Sequence, residues 1–291
     1  MIEAKEKNKT KKRSQLSQTW KRLRKNQLAV VGLIILILIV ICAIFAEQIA
    51  PYPYDQQDYE NTFQGPSRQH LFGTDNYGRD ILSRVIYGSR ASLQIGFISL
   101  LAGALVGCIL GALAGFVGGI VDTVIMRFTD ILMSIPRTVL AISIATTLGA
   151  GLTNAILAVA ISSIPNFARI VRASTLTVKD TEFIEAERCI GAKTPRIIMY
   201  HIFPNVLAPI IVQATLGVGT SIILAAALSF LGLGVQPPMA EWGSMLSQAR
   251  TYMRGYSYMV AFPGLAIMAT VLALNLFGDG LRDSLDPKLK K

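Results

Sequence analysis

Apolar residues gather in six long stretches that are separated by polar segments. A helix rises about 1.5 Å per residue, so about 20 apolar residues cross a bilayer core of about 30 Å. The pattern therefore predicts an all-α polytopic membrane protein with six transmembrane helices, the fourth of them short. The predicted spans are residues 28–46, 91–116, 124–148, 154–170, 206–231 and 258–277.

The polar segments divide the chain into five parts. Residues 1–27 hold ten Lys or Arg and two Glu, which predicts a basic cytoplasmic tail before the first transmembrane anchor, 28–46. Turn residues mark 47–90, which we interpret as a small extracytoplasmic segment between the first two spans. Residues 91–278 are expected to form the membrane core with the other five spans, and 279–291 a second cytoplasmic tail.

Composition and charge support a multi-pass protein of the cell membrane. Hydrophobic residues make up 52% of the chain and charged residues 16%, whereas soluble domains carry about 25% charge. Most of the 28 Lys and Arg fall in the two tails and around residues 180–205. The positive-inside rule then places both termini and this loop in the cytoplasm. The net charge of +10 is explained by this distribution and is not evidence for nucleic-acid binding.

The longest polar interruption of the second half is the 180–205 loop. Asp180 or Thr181 can cap a first helix that Gly191 ends. Thr194 and Pro195 can start a second helix, which Pro204 is expected to stop. Apolar residues recur at helical spacing in the second helix, so it is amphipathic. Such a helix lies on the bilayer surface or docks a soluble partner.

Two further patterns lie within the spans. Four glycines at intervals of four residues predict close approach of another helix, either in this chain or in a sister chain; they are Gly103, Gly107, Gly111 and Gly115. The third span is interrupted by Asp130 and by Pro136-Arg137, which must face protein or water. An intramembrane acid such as Asp130 would also suit the proton relay of a secondary transporter.

The loop resembles the Glu-Ala-Ala-x-x-x-Gly-x(9)-Ile-x-Leu-Pro motif of permease subunits in ATP-binding-cassette (ABC) importers. Here the motif comprises Glu185-Ala186-Glu187, Gly191 and His201-Ile202-Phe203-Pro204; Glu187, His201 and Phe203 depart from it. Three further stretches are similar to the dipeptide/oligopeptide/nickel permease group. They are Phe72-Gly73-Thr74-Asp75 with Gly78-Arg79-Asp80, Leu228-Ser229-Phe230-Leu231-Gly232-Leu233-Gly234, and Gly278-Asp279-Gly280-Leu281-Arg282-Asp283.

The resemblance implies that the loop couples an ATPase to the transmembrane helices. The residues it assigns to coupling are Phe183, Glu185, Ala186, Gly191, Ile198, His201 and Pro204. Apolar interface anchors are expected at Phe183, Ile184, Ile197 and Ile198, with a charged rim of Glu182, Glu185 and Arg188. Candidates for the translocation path, chosen from their expected burial at membrane depth, are Asp130, Met133, Arg137 and Ser229.

The implied complex contains a homologous second permease chain, two cytoplasmic ATPase subunits and an extracellular substrate-binding protein. ATP and Mg²⁺ would bind the ATPases, since Gly191-Ala192-Lys193-Thr194 lacks the second glycine of a phosphate-binding loop. This chain is then a transport subunit without a cofactor and not an enzyme. The binding protein would dock on 47–90 and 232–257.

The substrate implied by the resemblance is a di- or oligopeptide. A glutathione-like peptide or a nickel or metal chelate is the alternative within the same group. A proton-coupled secondary transporter and a purely structural membrane scaffold are the remaining hypotheses.

Overall fold

The long helices follow the apolar stretches of the sequence. The computed structural model describes residues 20–285; most of the predicted basic tail and the last six residues of the second tail lie outside them. The helices are α1 (Gln27–Ile44), α2 (Ala46–Ile49), α3 (Ile81–Val117), α4 (Gly119–Ser134), α5 (Arg137–Leu148), α6 (Leu152–Val178), α7 (Glu182–Cys189), α8 (Thr194–Ile197), α9 (Phe203–Phe230), α10 (Trp242–Ala249) and α11 (Tyr258–Leu285).

The predicted all-α membrane fold is confirmed for the described part of the chain. Five helices are long and apolar enough to cross a membrane: α1, α3, α6, the continuous Thr194–Phe230 helix that contains α8 and α9, and α11. Together α4 and α5 make a sixth candidate, although they are bent by 91°. Residues 20–285 contain no β-strand.

The predicted third span is a broken one. Pro136 cannot donate a backbone hydrogen bond and disfavours helical geometry in the residue before it. Ile135 accordingly adopts an extended conformation, with φ −95° and ψ 129°, where α4 ends and α5 begins. The sequence located the break correctly, but its angle depends on the helices packed around it.

Three other spans differ in length from the prediction, and one of them is the sixth, where α11 ends at Leu285, eight residues past the predicted end. Helix α3 begins at Ile81 rather than near residue 91, because the Asp80 carboxylate accepts a hydrogen bond from the Ser83 amide and caps the helix there. Helix α6 continues to Val178, eight residues past the predicted end. Its last turns are polar, so hydropathy alone underestimated its length.

The glycine pattern of α3 lies against α6 in the same chain. A Cβ added to Gly103 would lie 2.6 Å from the Ala160 carbonyl oxygen, and one added to Gly107 would lie 2.6 Å from that of Ile164. Gly111 and Gly115 face the next turns of α6 in the same way. Backbone-to-backbone contact along four turns makes α3 and α6 the rigid centre of the bundle.

The polar segments at the far end of the bundle from the 180–205 loop fold together; residues 45–80 and 231–257 form this outer unit. The Arg79 guanidinium donates to Asp75 at 2.7 Å and to Gln248 at 2.9 Å, and so joins the two segments. Phe63 stacks on Tyr256 with ring centroids 4.4 Å apart. The short outer segment thus obtains its core by packing on the loop before α11.

Helix α10 of the outer unit is fixed by a buried acid. The Glu241 carboxylate accepts from the Gly243 and Ser244 amides, each at 2.8 Å, and from the Ser92 hydroxyl at 3.1 Å. The next residue, Trp242, donates its indole N–H to the Val85 carbonyl at 2.9 Å. The outer unit is therefore tied to the first turns of α3.

Candidate coupling surface and cavity

The 180–205 loop folds as two helical pieces around a glycine turn, as predicted. Helix α7 ends at Cys189, and Gly191 follows with φ +80°, a left-handed conformation that favours glycine. Thr181 is the N-cap residue, but its hydroxyl donates to the Val178 carbonyl at 2.6 Å instead of accepting from α7. The turn is therefore specified by Gly191 more strongly than by a side-chain cap.

The predicted stop at Pro204 is wrong, since the second helix runs on into α9. A π turn at Ile198–Ile202 precedes the proline, and the Phe203 amide donates to the Ile198 carbonyl. This wider turn accommodates the missing proline donor. The Asn205 side chain donates to the His201 carbonyl at 2.7 Å and so adds a hydrogen bond within this turn. The second helical piece of the loop and the fifth span are one continuous helix, Thr194–Phe230.

The inner face of the loop packs into the chain's own core. Ile184 is fully buried, and Ile197, Ile198 and Ile202 are buried with it in a cluster that includes Phe167 of α6. The expectation that Ile184, Ile197 and Ile198 are partner-facing anchors is therefore wrong. Periodicity identified the apolar stripe, but an apolar stripe packs inward whenever transmembrane helices lie above it.

The outer face of the loop exposes other apolar side chains. Phe183 is 44% exposed, Ile190 77% and Tyr200 73%, and Met199 is exposed beside them. Glu185, Ala186, Gly191 and Pro204 are also exposed. We call these eight exposed residues the coupling surface. Ile198, which the resemblance also assigns to coupling, is buried and is not part of it. Exposed large apolar residues within a charged rim are typical of protein-binding sites.

Two departures from the loop motif contact each other. The His201 Nε2 atom lies 3.2 Å from the Glu187 Oε1 atom, and both side chains are partly buried. Glu187 lies on α7 and His201 in the π turn, so the pair joins the two helical pieces. Arg188 connects α7 to α3 instead, with its guanidinium carbon 5.0 Å from the ring centroid of Phe116.

The four predicted path residues do not come together. Asp130 pairs with Arg169 of α6 at 2.8 Å, both of them about half exposed, and Met133 is exposed on α4. Ser229 is buried near the outer unit, and its hydroxyl accepts from the Val235 amide at 3.4 Å. Arg137 lines a cavity of its own, away from the other three.

That cavity has a volume of about 170 Å³ and lies among α3, α5, α6 and α9. The Arg137 guanidinium donates to Ser163 at 2.8 Å, to Thr220 at 3.2 Å and to Ser221 at 3.3 Å. Asn166 and Gln213 complete its polar wall. Sequence reasoning missed these two amides, although the helical spacings Ser163/Asn166 and Gln213/Thr220 place each pair on one face.

Residues 107–291 match the family model described as "Binding-protein-dependent transport system inner membrane component". The chain belongs to this family. Residues 14–66 of the permease also match the N-terminal transmembrane domain of oligopeptide transport permease C. Proteins of this kind are the membrane subunits of ABC importers, which work with ATPase and substrate-binding partners.

Named relatives cover nearly the whole permease. It is 49% identical over 273 residues to the dipeptide transport system permease protein DppC of Alkalihalophilus pseudofirmus, an alignment covering 94% of this chain and 90% of that one. It is 50% identical over 272 residues to the glutathione transport system permease protein GsiD of Escherichia coli, covering 93% and 90%.

A solved structure shows the same fold. A chain of the MetNI methionine ABC transporter, in an inward-facing conformation, superposes with a TM-score of 0.57 at 21% identity. The match covers 71% of this permease and 98% of that chain. The recognised family and the multi-pass membrane location are thereby confirmed.

Proposed function

We propose that this permease moves peptides across the cell membrane with energy from ATP that separate ATPase subunits hydrolyse. The observation that supports this most directly is the two-sided 180–205 loop. Its inner isoleucines are buried among the transmembrane helices, while its outer face exposes Phe183, Ile190 and Tyr200. A soluble partner that moves this surface would move the fifth span, because α8, the π turn and α9 are continuous.

The proposed orientation follows from the basic residues. With both termini and the coupling surface in the cytoplasm, the surface meets the ATPases, and ATP with Mg²⁺ binds there rather than to this chain. The outer unit then faces the extracellular binding protein. A cleft of about 530 Å³ in this unit, lined by Arg79, Gln248 and Tyr252 among others, offers polar groups for that contact. A homologous second permease chain completes the pathway.

Peptides are the substrate class that the named relatives favour. One relative is named for dipeptides and the other for glutathione, and this permease is about equally similar to both. Glutathione is therefore the second candidate substrate.

Uptake by the complete complex tests this function. The permease is expressed with its second permease, ATPases and binding protein in cells lacking their own peptide importers. We expect the ATPases to co-purify with it and radiolabelled dialanine or glutathione to accumulate only with hydrolysis-competent ATPases.

Two variants separate coupling from folding in this assay. Tyr200→Asp places a charge in the exposed apolar patch and should reduce ATPase co-purification. Arg254→Gln in the outer unit is the control and should leave co-purification unchanged. Uptake that persists with catalytically dead ATPases and is abolished by a protonophore would instead identify a proton-coupled secondary transporter.

A further inference from the structure

We propose that Arg137 binds the carboxylate group of the transported solute inside the membrane-depth cavity. This assignment rests on the proposed peptide function and names the chemistry by which the pathway would recognise a peptide. It starts from the position of Arg137, the first residue of α5 after the 91° bend. The bend directs this side chain into the space between α6 and α9.

The position of the cavity along α6 favours a solute over a lipid headgroup as its occupant. Ser163, which accepts a hydrogen bond from Arg137, lies about 16 Å from the start of α6 and about 10 Å from residue 170, where the predicted apolar span ends, at 1.5 Å per residue. Lipid phosphates lie at the edges of a hydrocarbon core about 30 Å thick. A solute in transit is therefore the anion that we assign to Arg137.

The hydroxyls around Arg137 are positioned as acceptors. Ser163 donates its own proton to the Val159 carbonyl at 2.7 Å, and Thr220 donates to the Gly217 carbonyl at 3.0 Å. Their lone pairs are thus directed at the guanidinium and hold it in place. Hydroxyls do not neutralise the guanidinium charge, however. Among residues 20–285, no Asp or Glu forms an ion pair with Arg137 within 4 Å.

The guanidinium also keeps unused hydrogen-bonding capacity. It carries five N–H donors and stays charged, and the buried Nε atom has no partner. Nη2 already donates twice, so the free donors are Nε–H and one Nη1–H. Each can give a carboxylate a charge-assisted hydrogen bond. Asn166 and Gln213 on the opposite walls can accept or donate to the rest of a peptide. Every peptide with a free C-terminus carries the required carboxylate.

The test compares uptake of a radiolabelled dialanine with that of its C-terminal amide by the complete complex. The measured quantity is the acid-to-amide uptake ratio in each permease variant. The binding protein is identical in all samples, so its own selectivity cancels when variant ratios are divided by the wild-type ratio. The variants are Arg137→Gln, Gln213→Glu and the control Arg127→Gln, which removes the same charge from an exposed position on α4.

We expect Arg137→Gln to lower the acid-to-amide ratio by about tenfold or more, the loss typical of one charge-assisted hydrogen-bonded pair. Gln213→Glu should lower the ratio as well, because it adds a negative charge to the same cavity. Arg127→Gln should leave it unchanged. If Arg137→Gln fails to assemble with the ATPases, Gln213→Glu decides the question.

An unchanged acid-to-amide ratio in the assembled cavity variants would overturn the assignment. An equal loss of uptake of dialanine and its amide would overturn it too, because that indicates a structural role for Arg137. A wild-type complex that accumulates neither dialanine nor glutathione would overturn the proposed function and the assignment with it. Wild-type uptake with an unchanged ratio in the variants overturns the assignment alone.

Discussion

Two isoleucines in the 180–205 loop allow the roles of its inner and outer faces to be tested with the same substitution. Ile184 is 0% exposed and belongs to the cluster beneath the loop, whereas Ile190 is 77% exposed. Changing each to alanine removes the same three carbons. Only Ile184→Ala removes them from a packed site, so the two variants should fail in different ways.

The expected loss at Ile184 follows from its complete burial. Three buried carbons account for about 2.4 kcal/mol of transfer free energy at about 0.8 kcal/mol each. The cavity left behind brings the loss of folding free energy to about 2–5 kcal/mol. Ile190→Ala leaves no cavity and should change the folding free energy by less than about 0.5 kcal/mol.

Thermal unfolding of the purified permease pair without ATPases measures the loss of stability. Titration of the same pair with ATPase measures the strength of ATPase binding. Ile184→Ala should lower the unfolding temperature by several degrees. Ile190→Ala should leave that temperature unchanged and weaken ATPase binding, since it trims the coupling surface. Equal unfolding shifts for the two variants, or none for Ile184→Ala, would refute the assignment of the faces.

Three further substitutions test other contacts. Gly107→Val should prevent accumulation of folded permease in membranes, because a Cβ there lies 2.6 Å from a backbone oxygen. Gly264 has open space around it, so Gly264→Ala should accumulate normally. Gly191→Asp should leave the permease folded but uncouple ATP hydrolysis from uptake; normal uptake by a well-expressed variant contradicts this. In a double-mutant cycle, Glu187→Ala and His201→Ala should couple by about 0.5–1.5 kcal/mol of unfolding free energy, and strict additivity would exclude a stabilising pair.

The amino-acid sequence alone determined the helical elements and their membrane setting. A bilayer requires each spanning backbone to satisfy its own hydrogen bonds, so long apolar runs become helices whatever their partners. Local chemistry likewise specified the glycine turn at Gly191 and the break at Pro136. These features depend on residues close together in the chain, and the loop motif that identified the family is equally local.

Tertiary structure decided which face of each element is used. The isoleucine stripe of the 180–205 loop packs inward because α3 and α6 lie above it, and this leaves Phe183 and Tyr200 as the exposed surface. Pro204 continues a helix because a π turn precedes it. Arg137 reaches Ser163 and Thr220 across distances of 26 and 83 residues in the chain. Such contacts depend on how the helices pack, and a pattern read along one helix does not contain that information.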